Sequence, residues 1–168
     1  FSILKTFFHN SRTLIKIFYT LGKSFSACFL TRDVCSIFRK YFTKEGKTMS
    51  KIAIILHAEP GTHDSLGRAL HALLYSKELN EEGHEVKLIF DGGGTKWIEE
   101  FSKEHKMTPL YQTLKSAGII SGVCDHCVTA FGVEKDLVRK EGLPLVSEYN
   151  GHPSIAKLVS SGFQIITL

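Results

Sequence analysis

Two cysteines stand three positions apart in the run Cys124-Asp125-His126-Cys127, and no other residues of the sequence are better placed for chemistry. The run follows an apolar stretch, residues 119–123 (IISGV), so Cys124 is expected where a buried strand ends and a short helix begins. The free N–H groups at a helix start favour a thiolate, and can bring a thiol pKa from about 8.5 into the range of roughly 3.5–7.5. A charged His126 would act in the same direction and Asp125 would oppose it, so the net shift is left open. Cys127, one turn on, could resolve an oxidised or persulfidated Cys124. Two other outcomes fit the same spacing. Both thiols could be inert core residues, as free cysteines often are. A structural zinc site needs four ligands; one C-x-x-C supplies two, and His57, His126 or His152 would have to complete it. The expectation is a reactive cysteine with no metal and no cofactor.

The remaining candidates follow from a positional rule. In an open parallel sheet, ligands bind beyond the carboxyl ends of the strands. The expected strand ends carry His57 and Glu59, then Asp91, then Cys124, then Glu148. Loops at the same end add His63 and His152. His57 and His126 are expected to handle protons beside Cys124. Glu59, His63, Asp91, Asp125, Glu148 and His152 are expected to contact substrate. Gly92-Gly93-Gly94 is expected to be a plain turn; the alternative is an anion cradle at the start of a helix capped by Thr95. The triplet matches neither a Walker loop nor G-x-G-x-x-G. His71 and Trp97 are expected to serve surface or core packing.

The elements that must position these residues alternate between two periodicities. Residues 51–57 (KIAIILH), 85–90 (EVKLIF), 119–123, 143–147 and 163–168 (FQIITL) have the short, β-branched, apolar character of buried strands. A helix capped by Asp64 is expected to run to about Glu82, with Leu66, Leu70, Leu73, Leu74 and Leu79 on its apolar face and Gly83 as its stop. Further helices are expected after Thr95, from Thr108-Pro109 to near Gly118, over 134–141, and from Pro153 to about Ser160. Strands alternating with helices predict a three-layer α/β/α sandwich around a mostly parallel five-stranded sheet.

Charge divides the chain at Met49. Residues 1–48 hold nine Lys/Arg against two acids, Asp33 and Glu45, whereas residues 49–168 hold twelve basic and fifteen acidic residues. A slightly acidic body is a poor match for a phosphate backbone, which excludes nucleic acid from the expectation. The first 48 residues are read as a basic N-terminal extension, an in-frame upstream leader or a disordered segment. Lys44-Glu45-Gly46 can be encoded as a purine-rich ribosome-binding sequence shortly before Met49, which is then the expected start. A transit peptide, a lipoprotein signal ending at Cys28, and an amphipathic membrane helix are the alternatives. Charges at Lys16 and Lys23 break the apolar run the signal needs, and no stretch approaches the roughly 20 apolar residues of a membrane span. Cys28 and Cys35 are expected to have no part in function. With no disulfide framework, the body is expected in a reducing, cytoplasmic setting.

Residues 49–168 resemble the DsrE/DsrF-like family of sulfur-relay proteins, on KIAIILH, ALHALLYSKEL, EVKLIFDGGGTKW, GVCDHCVTAFGV and GHPSIAKLVSSGFQIITL. Members carrying a C-D-x-C motif are the most similar branch. The resemblance implies an α/β/α sandwich, homo-oligomers, and a cysteine after the central strand that accepts and passes sulfane sulfur as a persulfide. Cys124 holds that position. The implied partners are sulfur donor and acceptor proteins or small thiols. Cys127 departs from the relay pattern, so a thiol–disulfide cycle between Cys124 and Cys127, or a non-catalytic small-ligand or metal-binding role, stands beside sulfur transfer.

Overall fold

Ile52 to Leu56 are almost wholly shielded from water, as a strand covered on both faces requires. The computed structural model describes residues 49–168. The expectation for residues 1–48 lies outside the described residues. The elements are β1 (Lys51–Leu56), α1 (His63–Glu81), β2 (Glu85–Phe90), a 3₁₀ turn (Gly92–Lys96), α2 (Trp97–Phe101), α3 (Thr108–Ser116), β3 (Ile120–Cys124), α4 (Asp125–Ala130), α5 (Lys135–Lys140), β4 (Leu145–Val146), α6 (Ile155–Ser160) and β5 (Phe163–Thr167). The sheet order is β4-β3-β2-β1-β5, and every pairing is parallel. This is the expected α/β/α sandwich, with an all-parallel sheet.

Successive strands step outward from β1 to β4, and the chain then crosses to the far side of β1 for β5. Right-handed crossovers put helices on opposite faces when the stepping direction reverses. Accordingly α1, α2, α3 and α5 pack with Ile52, Ile54, Leu56, Leu88 and Phe90 in the larger core. Leu158 of α6 packs with Ala53, Ile55, Ile89 and Phe163 on the other face.

Several boundaries differ from expectation for identifiable reasons. Thr62, not Asp64, caps α1: its hydroxyl accepts from Ser65 N–H, and the Ser65 side chain returns the bond to Thr62 N–H. Asp64 lies inside the first turn and pairs with Arg68 at 2.6 Å. The buried stripe of α1 is Ser65, Ala69, Ala72, Leu73 and Ser76. Small residues let the helix approach the sheet closely, which turns Leu66, Leu70 and Leu74 outward at 37–42% exposure. Strand β4 keeps only Leu145 and Val146 of the five residues expected, after Pro144, which has no N–H to donate. Helix α6 starts at Ile155, capped by Ser154, rather than at Pro153, and Met107 rather than Thr108 caps α3.

The glycine triplet is a turn, for a packing reason. Asp91 caps it by accepting from Gly92 N–H at 2.9 Å, and Thr95 lies within it, donating to Gly92 O. A Cβ on Gly94 would stand 1.9 Å from Leu56 O, and one on Gly93 would stand 2.6 Å from Glu59 Cβ. Bare backbone therefore lets the turn lie against the end of β1, and Trp97 anchors it by donating from Nε1 to Ala58 O at 2.8 Å.

Candidate functional site

Three segments converge beyond the carboxyl ends of β2 and β3. Strand β2 delivers Asp91, and β3 ends on Cys124, whose extended backbone caps α4. Cys124 Sγ accepts from Cys127 N–H at 3.4 Å, so the C-x-x-C spacing is itself the cap. The third segment is the link from β4 to α6. Tyr149 and His152 exchange backbone hydrogen bonds of 2.9 and 2.8 Å around Asn150-Gly151, both with positive φ (49° and 86°). This is the two-residue hairpin turn that Asn-Gly favours. It suspends Gly151 O and the His152 ring over the thiols.

One ligand-type atom from each of Asp91, Cys124, Cys127 and His152 lies within 4.8 Å of all the others. Cys124 Sγ is 3.2 Å from His152 Nδ1, and Cys127 Sγ is 3.6 Å from the same nitrogen. Cys127 donates to Asp91 Oδ1 at 3.2 Å, and Cys124 Sγ is 3.7 Å from Gly151 O. Cys124 is fully buried and Cys127 is 6% exposed. Outside these four, His57 Nε2 meets Asp91 Oδ2 at 3.3 Å, and the His126 ring lies over His152 with centroids 4.6 Å apart.

Burial sets the charge state of the two thiols. Burial pushes the Cys124 thiol up; the Cys127 N–H lowers it, but the Cys127 side chain and the Asp91 carboxylate add to the rise. Cys127 is likewise raised, first by burial. The net shift that the sequence left open is thus upward for Cys124, because one N–H does not offset desolvation and a neighbouring anion. Asp91 goes the other way. Burial alone would raise it, but hydrogen bonds from His57, both thiols and Gly92 N–H hold it well below the usual carboxylate range. At neutral pH the site is therefore two neutral thiols beside an ionised carboxylate.

The structure gathers Asp91, Cys124, Cys127 and His152, with His57 and His126 in contact one layer out. Four other candidates lie elsewhere. Asp125 turns to Lys135 at 2.7 Å, and Glu59 pairs with Lys96 at 2.6 Å. Glu148 pairs with Lys157 and accepts from Ser154 N–H at the start of α6. His63 is exposed beside a separate surface depression with Leu66, Trp97 and His105. Position at a strand end was not enough to place Glu59 and Glu148, nor was a nearby loop enough for His63 or the motif itself for Asp125. What the sequence argument missed is the direct contact of Asp91 and His152 with the sulfurs. The Asn150-Gly151 pair was the available signal, since it folds His152 back.

The DsrE/DsrF-like family model matches residues 50–168. An uncharacterised protein of Methanocaldococcus jannaschii is 32% identical over 100 residues, covering 59% of this chain and 78% of the relative. No solved structure matches. Among the described residues no helix is long and apolar enough to cross a membrane.

Proposed function

From the premise that this chain belongs to the DsrE/DsrF-like family, we propose that it is a cysteine-dependent sulfur carrier that loads a persulfide on Cys124. Family membership supports a sulfur-relay-like role. The observation that carries the finer reading is the 3.2 Å approach of His152 Nδ1 to Cys124 Sγ, a nucleophile beside a base. His152 takes the Cys124 proton. The thiolate then attacks the outer sulfur of a donor such as thiosulfate or a persulfide. One S–S bond forms at Cys124, the donor's own bond to that sulfur breaks, and sulfite or a thiolate leaves with the bonding pair. An acceptor thiolate repeats the exchange and restores Cys124. His57 holds Asp91 in place, and His126 supports the His152 ring.

Burial of Cys124 requires the 149–152 turn to swing aside for a donor to enter. Donor and acceptor proteins or small thiols are the partners that this chemistry calls for, in a reducing compartment such as the cytoplasm. The outward Leu66, Leu70, Leu74 and Tyr75 of α1 support assembly of copies of the chain through that stripe.

A second reading has its own observation, the two sulfurs within 4.8 Å. Cys127 could attack the inner sulfur of the Cys124 persulfide, releasing hydrosulfide and leaving a disulfide. Intact mass spectrometry after incubation with thiosulfate or polysulfide tests both. The carrier gains one sulfur, keeps it in Cys127→Ser and loses it in Cys124→Ser. A mass two protons lower with no retained sulfur supports the disulfide cycle. An unchanged mass refutes both.

A further inference from the structure

We propose that Asp91, Cys124, Cys127 and His152 form a closed tetrahedral site for a thiophilic divalent metal ion, with Zn²⁺ the natural occupant. The inference stands on geometry alone and does not depend on sulfur transfer. Zinc bound tetrahedrally at about 2.3 Å to sulfur and about 2.0–2.2 Å to nitrogen or oxygen holds its ligand atoms roughly 3.5–3.8 Å apart. Cys124–His152, Cys127–His152 and Cys127–Asp91 span 3.2, 3.6 and 3.2 Å, within a few tenths of an ångström of that edge. All four donor atoms fall within 4.8 Å of one another. Two thiolates, one imidazole and one carboxylate are a donor set that selects zinc over magnesium or calcium, which prefer all-oxygen shells.

The surroundings are arranged as metal sites require. Asp91 offers Oδ1 to the site while Oδ2 meets His57, so the histidine orients the carboxylate from outside. Gly92 N–H fixes the same carboxylate from the backbone. Four protein ligands fill a tetrahedral shell, and both sulfurs are buried, the mark of a structural or capping ion rather than a hydrolytic one. Binding replaces the two thiol protons, which leave to solvent; no electrons move. The ion joins β2, β3, the start of α4 and the 149–152 turn, so it closes the access that a sulfur donor needs.

The test uses the reduced full-length chain, freed of metal by a chelator and dialysed. Zinc alone is added and native mass spectra are recorded; Co²⁺ is then used as a spectroscopic stand-in. One zinc per chain is expected, with the intense visible bands of tetrahedral Co²⁺ and a thiolate charge-transfer band. Asp91→Asn, His152→Ala, Cys124→Ser and Cys127→Ser should each weaken binding by more than about 100-fold, and His57→Ala by about 10- to 100-fold. The cobalt spectrum of the wild type reports the donor set even if a variant fails to fold. Absence of stoichiometric zinc, an octahedral cobalt spectrum, or wild-type affinity in both Asp91→Asn and His152→Ala would overturn the site. Sulfur loading is measured on the zinc-free chain, so either proposal can fail without the other.

Discussion

Two glycines of one turn, Gly92 and Gly94, make a quantitative test of how the site is held. Gly92 has a φ of 54°, and the nearest atom to an added Cβ would be His57 Cδ2 at 3.5 Å. Gly92→Ala therefore adds left-handed backbone strain without a clash, at about 1–2 kcal/mol. Gly94 has ordinary φ, but its Cβ would sit 1.9 Å from Leu56 O and 2.7 Å from Leu56 C. Carbon contacts settle at roughly 3.5–4.0 Å, so the two backbones must part by about 1.5 Å. Overpacking of this kind costs about 1–3 kcal/mol, and loss of the Trp97 Nε1 to Ala58 O bond adds about 1 kcal/mol. We expect Gly94→Ala to cost about 3 kcal/mol or more, twice Gly92→Ala, and to lower Tm by roughly 10 °C in a domain of this size. Urea unfolding followed by circular dichroism measures both. Because the turn also carries Asp91, Gly94→Ala should speed alkylation of Cys127, which loses its acceptor and its cover. If Gly94→Ala is no costlier than Gly92→Ala, close approach of the turn to β1 is not what requires the glycines.

Further predictions follow from the thiols and from α1. Iodoacetamide should label metal-free Cys124 slowly at pH 7 and faster as pH rises past its ordinary value of 9.0, with His152→Ala slower still at neutral pH. The linked stability has a definite sign: thiols raised by folding bind protons more tightly in the native state, so urea midpoints should fall as pH climbs above about 9, and Cys124→Ala should flatten that limb. Light scattering after size exclusion should give a mass above one chain for the wild type and a single chain for Leu70→Glu with Leu74→Glu; a wild-type monomer would refute assembly through α1.

The sheet was legible because its strands are short Ile- and Val-rich runs separated by helix caps and glycine stops. Residues 51–57 and 85–90 could hardly fold otherwise. The face of α1 was legible only in part: Leu73 and Leu79 pack inward as expected, but Leu66, Leu70 and Leu74 turn outward because the sheet side is chosen by small residues that let the backbones approach. The site was half legible. Strand-end position brought Asp91, Cys124 and His57 to the right edge, but it could not separate Asp91, which pairs with His57 and with no lysine among the described residues, from Glu59 and Glu148, which pair with lysines. The direction of the Cys124 pKa shift stayed open because a sequence shows the helix start but not the burial or the Asp91 carboxylate beside the thiols.

The upward direction of that shift decides what controls the chemistry. A cysteine activated by its own low pKa reacts whenever a donor arrives. Here Cys124 is buried and protonated beside an anion, so its reactivity depends on opening rather than on intrinsic acidity. The cover is a two-residue turn held by the Tyr149–His152 pair and by His126 N–H donating to Gly151 O at 3.0 Å. Each backbone hydrogen bond contributes about 1 kcal/mol net, so opening is affordable within a stable fold. A metal ion bound through His152 ties that same turn to both sulfurs and to Asp91. If both proposals hold, zinc occupancy and sulfur loading exclude one another at this site, and zinc added to the chain should suppress persulfide formation in proportion to its occupancy. Persulfide formation undiminished at full zinc occupancy would show that the two ligands do not share Cys124.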